Sequence, residues 1–271
     1  MSKVSMNKKK LQKISNNMRK IILETSYKCG EPAHIGGALS IVEILCCLYQ
    51  QIMILKGKKK DRFILSKGHG FLALLAALYS KKFLSKKMLM TFQSNGSEII
   101  AHPIMNEKIG IESSNGSLGQ GLSFSIGLAY SKKLKREKGK IFSLIGDGEC
   151  YEGSIWESAI SATELNLDNL TLIVDCNGFQ NDGKIGTKMS HADILKKWKG
   201  FGWNTISCDG HNISNVLKSL KSSKKNKPTA IVAKTVKGKG ISFMENNNDW
   251  HHGRLTKTIY LNCIKELNEK A

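Results

Sequence analysis

Long apolar runs are missing from this sequence. The longest uncharged stretches, ILCCLYQQIMIL and GHGFLALLAALYS, fall short of the ~18 apolar residues that a membrane-spanning helix needs. The N-terminus is basic, but no apolar core or cleavage site adjoins it, so it makes a poor signal peptide. Paired cysteine spacing is missing too. Seven cysteines are scattered without a CxxC, and Cys46 and Cys47 are neighbours within a helical pattern. An odd number without a framework reads as reduced thiols in a cytoplasmic protein. There is no internal repeat, low-complexity linker or convincing boundary, so one domain spanning 1–271 is expected.

Acidic residues are scarce. Asp and Glu number 22 against 42 Lys and Arg, leaving a formal charge of +20. That balance invites a nucleic-acid partner. The lysines, however, form solvated clusters along the whole chain (Lys8 to Lys10, Lys58 to Lys60, Lys224 and Lys225) and are not interleaved with aromatics as in a stacking groove. Weak adhesion to polyanions is expected, and no dedicated nucleic-acid site.

What is present is ordinary globular material, 41% hydrophobic and 24% charged, enough to bury a large α/β core. Leu11, Ile14, Met18, Ile21, Ile22 and Thr25 recur on one helical face, predicting a helix over about 7–28. Ser40 with Glu43 three residues on has the form of a capping box, opening a helix with Ile44, Leu45, Leu48 and Ile52 on its face. RFILS reads as a buried strand and SKGHG as the turn into another helix. Leu118 to Leu134 reads as a buried helix. Strands at 141–145, 170–176, 203–208 and 229–235 then alternate with helices at 154–164, 194–199 and 213–220, and a last helix covers about 256–270. Such alternation implies a doubly wound, mainly parallel sheet with helices on both faces.

Two strand ends stand out. KIFSLI runs into Gly146-Asp147-Gly148, and LTLIVDC runs into Asn177-Gly178, thirty positions from Asp147 to Asn177. Ligands of open parallel sheets sit beyond the carboxyl ends of the strands. An Asp oxygen and an Asn carbonyl oxygen are hard donors, suited to Mg²⁺ or Ca²⁺ and unsuited to zinc. Two side chains, a backbone carbonyl and a diphosphate would complete a Mg²⁺ shell, with glycines allowing close approach to phosphate. Either dipeptide alone is a common turn. The pair on consecutive strand ends favours a metal–diphosphate site, without saying which diphosphate.

Gly-Asp-Gly followed about thirty residues later by Asn resembles the thiamine diphosphate signature. HIGGALS, LSKGHG, AHP, GSLGQG, GDGECYEGSIWE, LTLIVDCNGFQNDG, GWNTISCDGH, KPTAIVAKTVKGKG and WHHG follow the order and rough spacing of transketolase N-terminal domains. The resemblance covers about residues 10–255. It implies the N-terminal subunit of a split, two-chain transketolase using thiamine diphosphate and Mg²⁺, with Ca²⁺ or Mn²⁺ as possible substitutes. By resemblance, Asp147, Asn177 and the Phe179 carbonyl bind the metal. Gly146, Gly148 and Glu149 border the diphosphate, and Gly116, Ser117 and Leu118 the aminopyrimidine.

His34, His69, His102 and His252 match the family's active-site histidines, with His69 and His252 also on the cofactor. His251 is adjacent, so a one-residue slip is open. Glu152 matches a carboxylate near the subunit contact. Imidazole near its ordinary pKa suits both oxyanion stabilisation and proton transfer in ketol chemistry, while His191 and His211 read as structural or surface groups. The usual Gly-His-Pro-Gly is Ala33-His34-Ile35-Gly36 here, and Gly70 replaces a common alanine. The first departure bears on sugar preference more than on the cofactor.

The family's activating glutamate and sugar-phosphate arginines lie in a pyrimidine-binding domain outside this sequence. A C-terminal partner subunit in an α₂β₂ assembly, and sugar phosphate substrates, are therefore expected. The alternatives are a split transketolase for a modified sugar, the α subunit of a thiamine-dependent 2-oxo acid dehydrogenase, and a regulatory or nucleic-acid-binding paralogue.

Overall fold

The computed structural model describes residues 7–270. Residues 1–6, part of the basic N-terminus weighed above as a signal segment, and residue 271 lie outside the described residues. The strands are β1 (Arg62–Leu65), β2 (Ile141–Gly146), β3 (Leu170–Cys176), β4 (Phe179–Gln180), β5 (Gly183–Lys184), β6 (Asn204–Asp209) and β7 (Thr229–Lys234). Five of them form one sheet in the order β1-β2-β3-β7-β6, and every pair is parallel. β4 and β5 form a separate antiparallel hairpin immediately after Asn177.

The helices are α1 (Lys8–Cys29), α2 (Gly36–Leu39), α3 (Val42–Cys47), α4 (Phe71–Ser80), α5 (Lys86–Leu89), α6 (Gln120–Leu134), α7 (Gly153–Glu164), α8 (His191–Gly200), α9 (Ile213–Lys221) and α10 (Lys257–Glu269). Parallel neighbours need long crossovers, and helices supply them. Every residue of β3 is buried, so its apolar run shows no polar alternation. The alternation reappears in which core each side chain joins. Ile173 packs with residues of α1, α3, α4, α9 and α10, such as Met18, Leu45, Leu75, Val216 and Cys263. Leu172 and Val174 pack on the other face with Leu122, Ile155 and Trp198 of α6, α7 and α8. Helices on both faces of a parallel sheet make the doubly wound α/β fold expected from the sequence.

Asn7 caps α1 by accepting from Lys9 N at 3.1 Å, and Thr256 caps α10 through Ile259 N at 3.3 Å. The capping box expected at Ser40 and Glu43 does not form. α3 starts after Ile41 with no side-chain cap. Ser40 instead donates to Gly37 O at 2.9 Å and to Asp175 Oδ2 at 2.7 Å, and Glu43 pairs with Arg19 and His211. Both residues are buried, where partners across the fold outcompete a local cap. The expected helix continues as a π turn over Leu48–Ile52.

Candidate active site

The carboxyl ends of β1, β2, β3 and β7 face one edge of the sheet and deliver their following loops to it. Asp147 leaves β2 directly after Gly146, and Asn177 leaves β3 next to it. Their loops are joined directly: Gly178 N donates to Asp147 Oδ2 at 2.7 Å, while Gly148 N donates to Oδ1 at 3.0 Å. Asn177 Oδ1 accepts from Phe179 N at 3.0 Å, and its Nδ2 donates to Asp175 Oδ2 at 2.9 Å. A cavity of about 230 Å³ opens over them, bordered also by Leu118, Gly146, Gly148, Glu152 and Phe179.

Burial, and then the nearby Asp175 carboxylate, push the Asp147 carboxyl up to about 7. Lys67, an ammonium deep in the site, is bound to Asp175 at 2.5 Å, both side chains being fully buried. Asp147 therefore has two backbone N–H groups and no cationic side chain in contact, the condition that a divalent cation relieves. A Cβ on Gly146 would meet nothing closer than Gly148 N at 4.0 Å, and one on Gly116 nothing within 4 Å. Both glycines leave open space beside their backbone, and Gly146 borders the cavity, as close approach of a phosphate requires. The donor set thus suits a hard cation with a phosphate ligand.

Glu149 faces inward. Its carboxylate accepts from Ser66 Oγ at 2.6 Å, Gly119 N at 3.0 Å and Gly146 N at 2.8 Å. It braces the two glycine loops, which makes it a shaping group at the cavity wall. Gly119, at φ +81°, lies where a Cβ would strike Ser154 Oγ and stand 2.9 Å from Glu152 Cβ, so only glycine lets the 116–121 loop close on the Glu152 turn. Glu152 and Leu118 border the cavity, and Gly116, Ser117 and Glu152 are all exposed.

Five histidines meet beside this cavity, centred on His34. Its ring centroid lies 5.8 Å from His69, 5.5 Å from His102, 5.3 Å from His251 and 4.6 Å from His252. Glycines allow the approach, since a Cβ on Gly37 would stand 3.0 Å from His69 Cδ2 and one on Gly68 3.0 Å from His102 Cδ2. Burial, then His252, holds His34 down to about 4; burial, then Lys237, holds His251 down to about 3. Burial also lowers His69, well below its usual value, and His102. These four rings are neutral near pH 7.

His251 and His252 occupy two different positions. His251 lines the Asp147 cavity together with Lys67 and His69. His252 is exposed and packs on His34. The loop carrying both is tied to His34's loop by a two-way bridge, Ala33 N to Gly253 O and Gly253 N to Ala33 O, each 3.0 Å. Ile35, where the family pattern has proline, is fully buried and anchors the loop by packing. His191 and His211 stand outside the cluster. His191 bonds Val232 O at 3.2 Å, and His211 joins Glu43 at 3.0 Å and accepts from Val236 N at 2.8 Å.

Three residues of the site escaped the sequence reading: Lys67, Asp175 and Lys237. Lys237 is 2% exposed; its Nζ donates to Asn248 Oδ1 at 2.6 Å and His251 Nδ1 at 2.8 Å. Burial, then Lys67, lowers it to about 8. A charged residue inside an apolar run, as Asp175 in LTLIVDC, is the signal that could have found the first pair, because such a charge needs a buried partner.

A glycine-lined cavity at the strand ends, with Asp147, Asn177 and neutral histidines around it, defines a thiamine diphosphate-binding domain. Residues 11–259 match the family described as transketolase, thiamine diphosphate binding domain. The chain belongs to the transketolase family. It is 37% identical to one of the subunits of the apulose-4-phosphate transketolase of Phocaeicola vulgatus, over 94% of this chain and 93% of that one. It is also 37% identical to the 6-deoxy-6-sulfo-D-fructose transketolase subunit SqwG of a Clostridium species, over 96% and 97%. The crystal structure of Campylobacter jejuni transketolase superposes with a TM-score of 0.88 at 28% identity, over 97% of this chain and 43% of that one. The chain thus spans less than half the length of such one-chain transketolases and nearly all of the two subunit relatives. It is an N-terminal subunit of the two-chain type, and so part of a transferase.

Proposed function

We propose that this chain, with a C-terminal partner subunit, moves a two-carbon ketol unit from a ketose phosphate to an aldose acceptor. Asp147, Asn177 and the Phe179 carbonyl would hold thiamine diphosphate through Mg²⁺, with Gly146 and Gly148 lining the diphosphate and residues 116–118 the aminopyrimidine. When bound, the cofactor supplies the carbon nucleophile that ketol transfer requires. The observation that carries this function is the meeting of five histidines beside the Asp147–Asn177 cavity. A 2-oxo acid decarboxylation has less use for such a cluster, because it moves no proton off a sugar hydroxyl.

The hydrogen bonds support complementary work for two of the rings. His34 Nδ1 lies 3.1 Å from His251 O; a carbonyl only accepts, so the proton is on Nδ1 and Nε2 is a free base. His251 Nδ1 accepts from the Lys237 ammonium, so its proton is on Nε2 and is available for donation. His34 therefore takes a proton from a substrate hydroxyl while His251 donates to the cofactor side or to developing oxyanion charge. His69 and His102 would flank the thiazolium and the donor hydroxyls, and His252 would assist proton transfer on the acceptor side. Glu152, exposed at the mouth, faces the subunit contact in an α₂β₂ assembly.

A second function has support in the names of its relatives. Those proteins act on apulose 4-phosphate and 6-deoxy-6-sulfofructose, and the Ala33-His34-Ile35-Gly36 loop departs from the usual pattern at the sugar side. A modified sugar is therefore included among the substrates to be assayed.

Ketol transfer by the purified chain, by its partner and by their mixture tests the proposal. Activity is expected in the mixture alone, and a donor and acceptor panel then separates ordinary from modified sugars. Robust turnover by the single chain would refute the two-chain arrangement.

A further inference from the structure

Asp175 precedes Asn177 by two residues and is fully buried. Its carboxylate accepts from four side chains. Ser40 Oγ, Lys67 Nζ and Asn177 Nδ2 reach Oδ2 at 2.7, 2.5 and 2.9 Å, and Thr235 Oγ1 donates to Oδ1. Each donor belongs to a different limb of the site. Ser40 follows the loop of His34, Lys67 precedes His69 by two residues, and Thr235 leads from β7 to Lys237, which holds His251. Lys67 also donates to Gly37 O at 3.0 Å, so the His34 loop is gripped twice.

The effect on Asn177 is specific. A carboxylate only accepts, so the amide end facing Asp175 must be the NH₂ group. A backbone N–H only donates, so the end facing Phe179 N at 3.0 Å must be the oxygen. Two neighbours of opposite character fix the amide, and Oδ1 keeps a lone pair where Asn177 borders the cavity.

We propose that Asp175, held by Lys67, is the positioning residue of the cation site. It sets the Asn177 oxygen toward the cation and makes an amide, in place of a carboxylate, the group required at position 177. This rests on the cation site proposed above. An aspartate at 177 would put an anionic oxygen where Nδ2 now sits 2.9 Å from Asp175 Oδ2, and Lys67 is already engaged. Charge counting alone gives the opposite expectation, since an extra carboxylate ligand ordinarily tightens a divalent site.

The test is Mn²⁺ binding by the two-chain mixture loaded with thiamine diphosphate and freed of excess cofactor, read as loss of the free-ion EPR signal, with folding checked by circular dichroism. Lys67→Met/Asp175→Leu keeps net charge and bulk while removing the acceptor for Asn177; binding is expected to weaken about tenfold or more. Lys67→Met/Asp175→Asn restores a carbonyl acceptor and is expected to recover affinity to within about threefold of wild type. Asn177→Asp is expected to bind more weakly than wild type, and it decides the matter alone if the apolar double variant does not fold. A folded Lys67→Met/Asp175→Leu chain with unchanged affinity, absence of rescue by asparagine, or tighter binding by Asn177→Asp overturns the role of Asp175. No Mn²⁺ uptake by wild type overturns the cation site itself, and the positioning role with it.

Discussion

The backbone N–H of Gly178 donates to Asp147 Oδ2 at 2.7 Å, latching the loop after β3 onto the carboxylate that ends β2. Two strand ends thirty residues apart in sequence thereby become one wall of a cavity. The latch positions Asp147 but does not neutralise it, and neutral histidines stand alongside. Both facts have measurable consequences.

Asp147→Asn is expected to abolish metal-dependent cofactor binding and yet to stabilise the cofactor-free chain. Asp147 has a folded pKa raised from 3.8 to about 7, so the native state holds its proton more tightly than the unfolded one. Its cost to folding is absent below pH 3.8, grows as pH rises toward 7 and is complete above that. At ~1.4 kcal/mol per pKa unit the cost is up to about 4 kcal/mol. Urea unfolding without metal should show the variant gaining a few kcal/mol on wild type between pH 4 and pH 8, offset at every pH by the one backbone bond that an amide NH₂ cannot accept. A difference independent of pH would remove the basis for a cation-seeking carboxylate.

His34→Gln should flatten the acid side of the stability profile. His34 is neutral when folded, with its pKa lowered from 6.5 to about 4. The unfolded state binds the proton first as pH falls, so wild type loses stability relative to the variant between pH 6.5 and 4. Because the ring is only partly buried, solvent screening limits the loss to about 1–2 kcal/mol. Parallel unfolding curves at pH 7.5 and pH 5 for both proteins measure it, and a difference independent of pH would count against a neutral His34.

His251→Ala and His252→Ala should part company. Loss of a hydrogen bond to a charged ligand group costs about 1.5–3 kcal/mol, so His251→Ala is expected to weaken thiamine diphosphate binding about tenfold or more. His252→Ala, on the outer side of His34, is expected to leave that affinity within about twofold and to lower turnover. Cofactor titration and steady-state kinetics on the two-chain mixture distinguish them. The reverse pattern would restore the cofactor role to His252.

Much of this was legible in the chain. β2 and β3 are apolar runs bounded by Gly-Asp-Gly and Asn-Gly, and buried parallel strands leave just that trace. The four matched histidines do converge, because each sits in a glycine-bearing loop at the same sheet edge. The β4–β5 hairpin was not legible, since two-residue strands carry no period. Ser40 and Glu43 looked like a cap because the motif is local, whereas their partners, Asp175, Arg19 and His211, come from elsewhere in the fold. Lys67 and Lys237 were hidden among 42 basic residues, and most of those among the described residues reach solvent. Position in the sequence does not reveal which lysine turns inward.

The most direct measurement is a calorimetric titration of thiamine diphosphate into the two-chain mixture, with Mg²⁺ and with EDTA, for wild type and Asp147→Ala. Saturable binding by wild type that needs Mg²⁺ and disappears in Asp147→Ala is the expected result. Equal binding in EDTA, or binding untouched by the substitution, would contradict a metal held between Asp147 and Asn177.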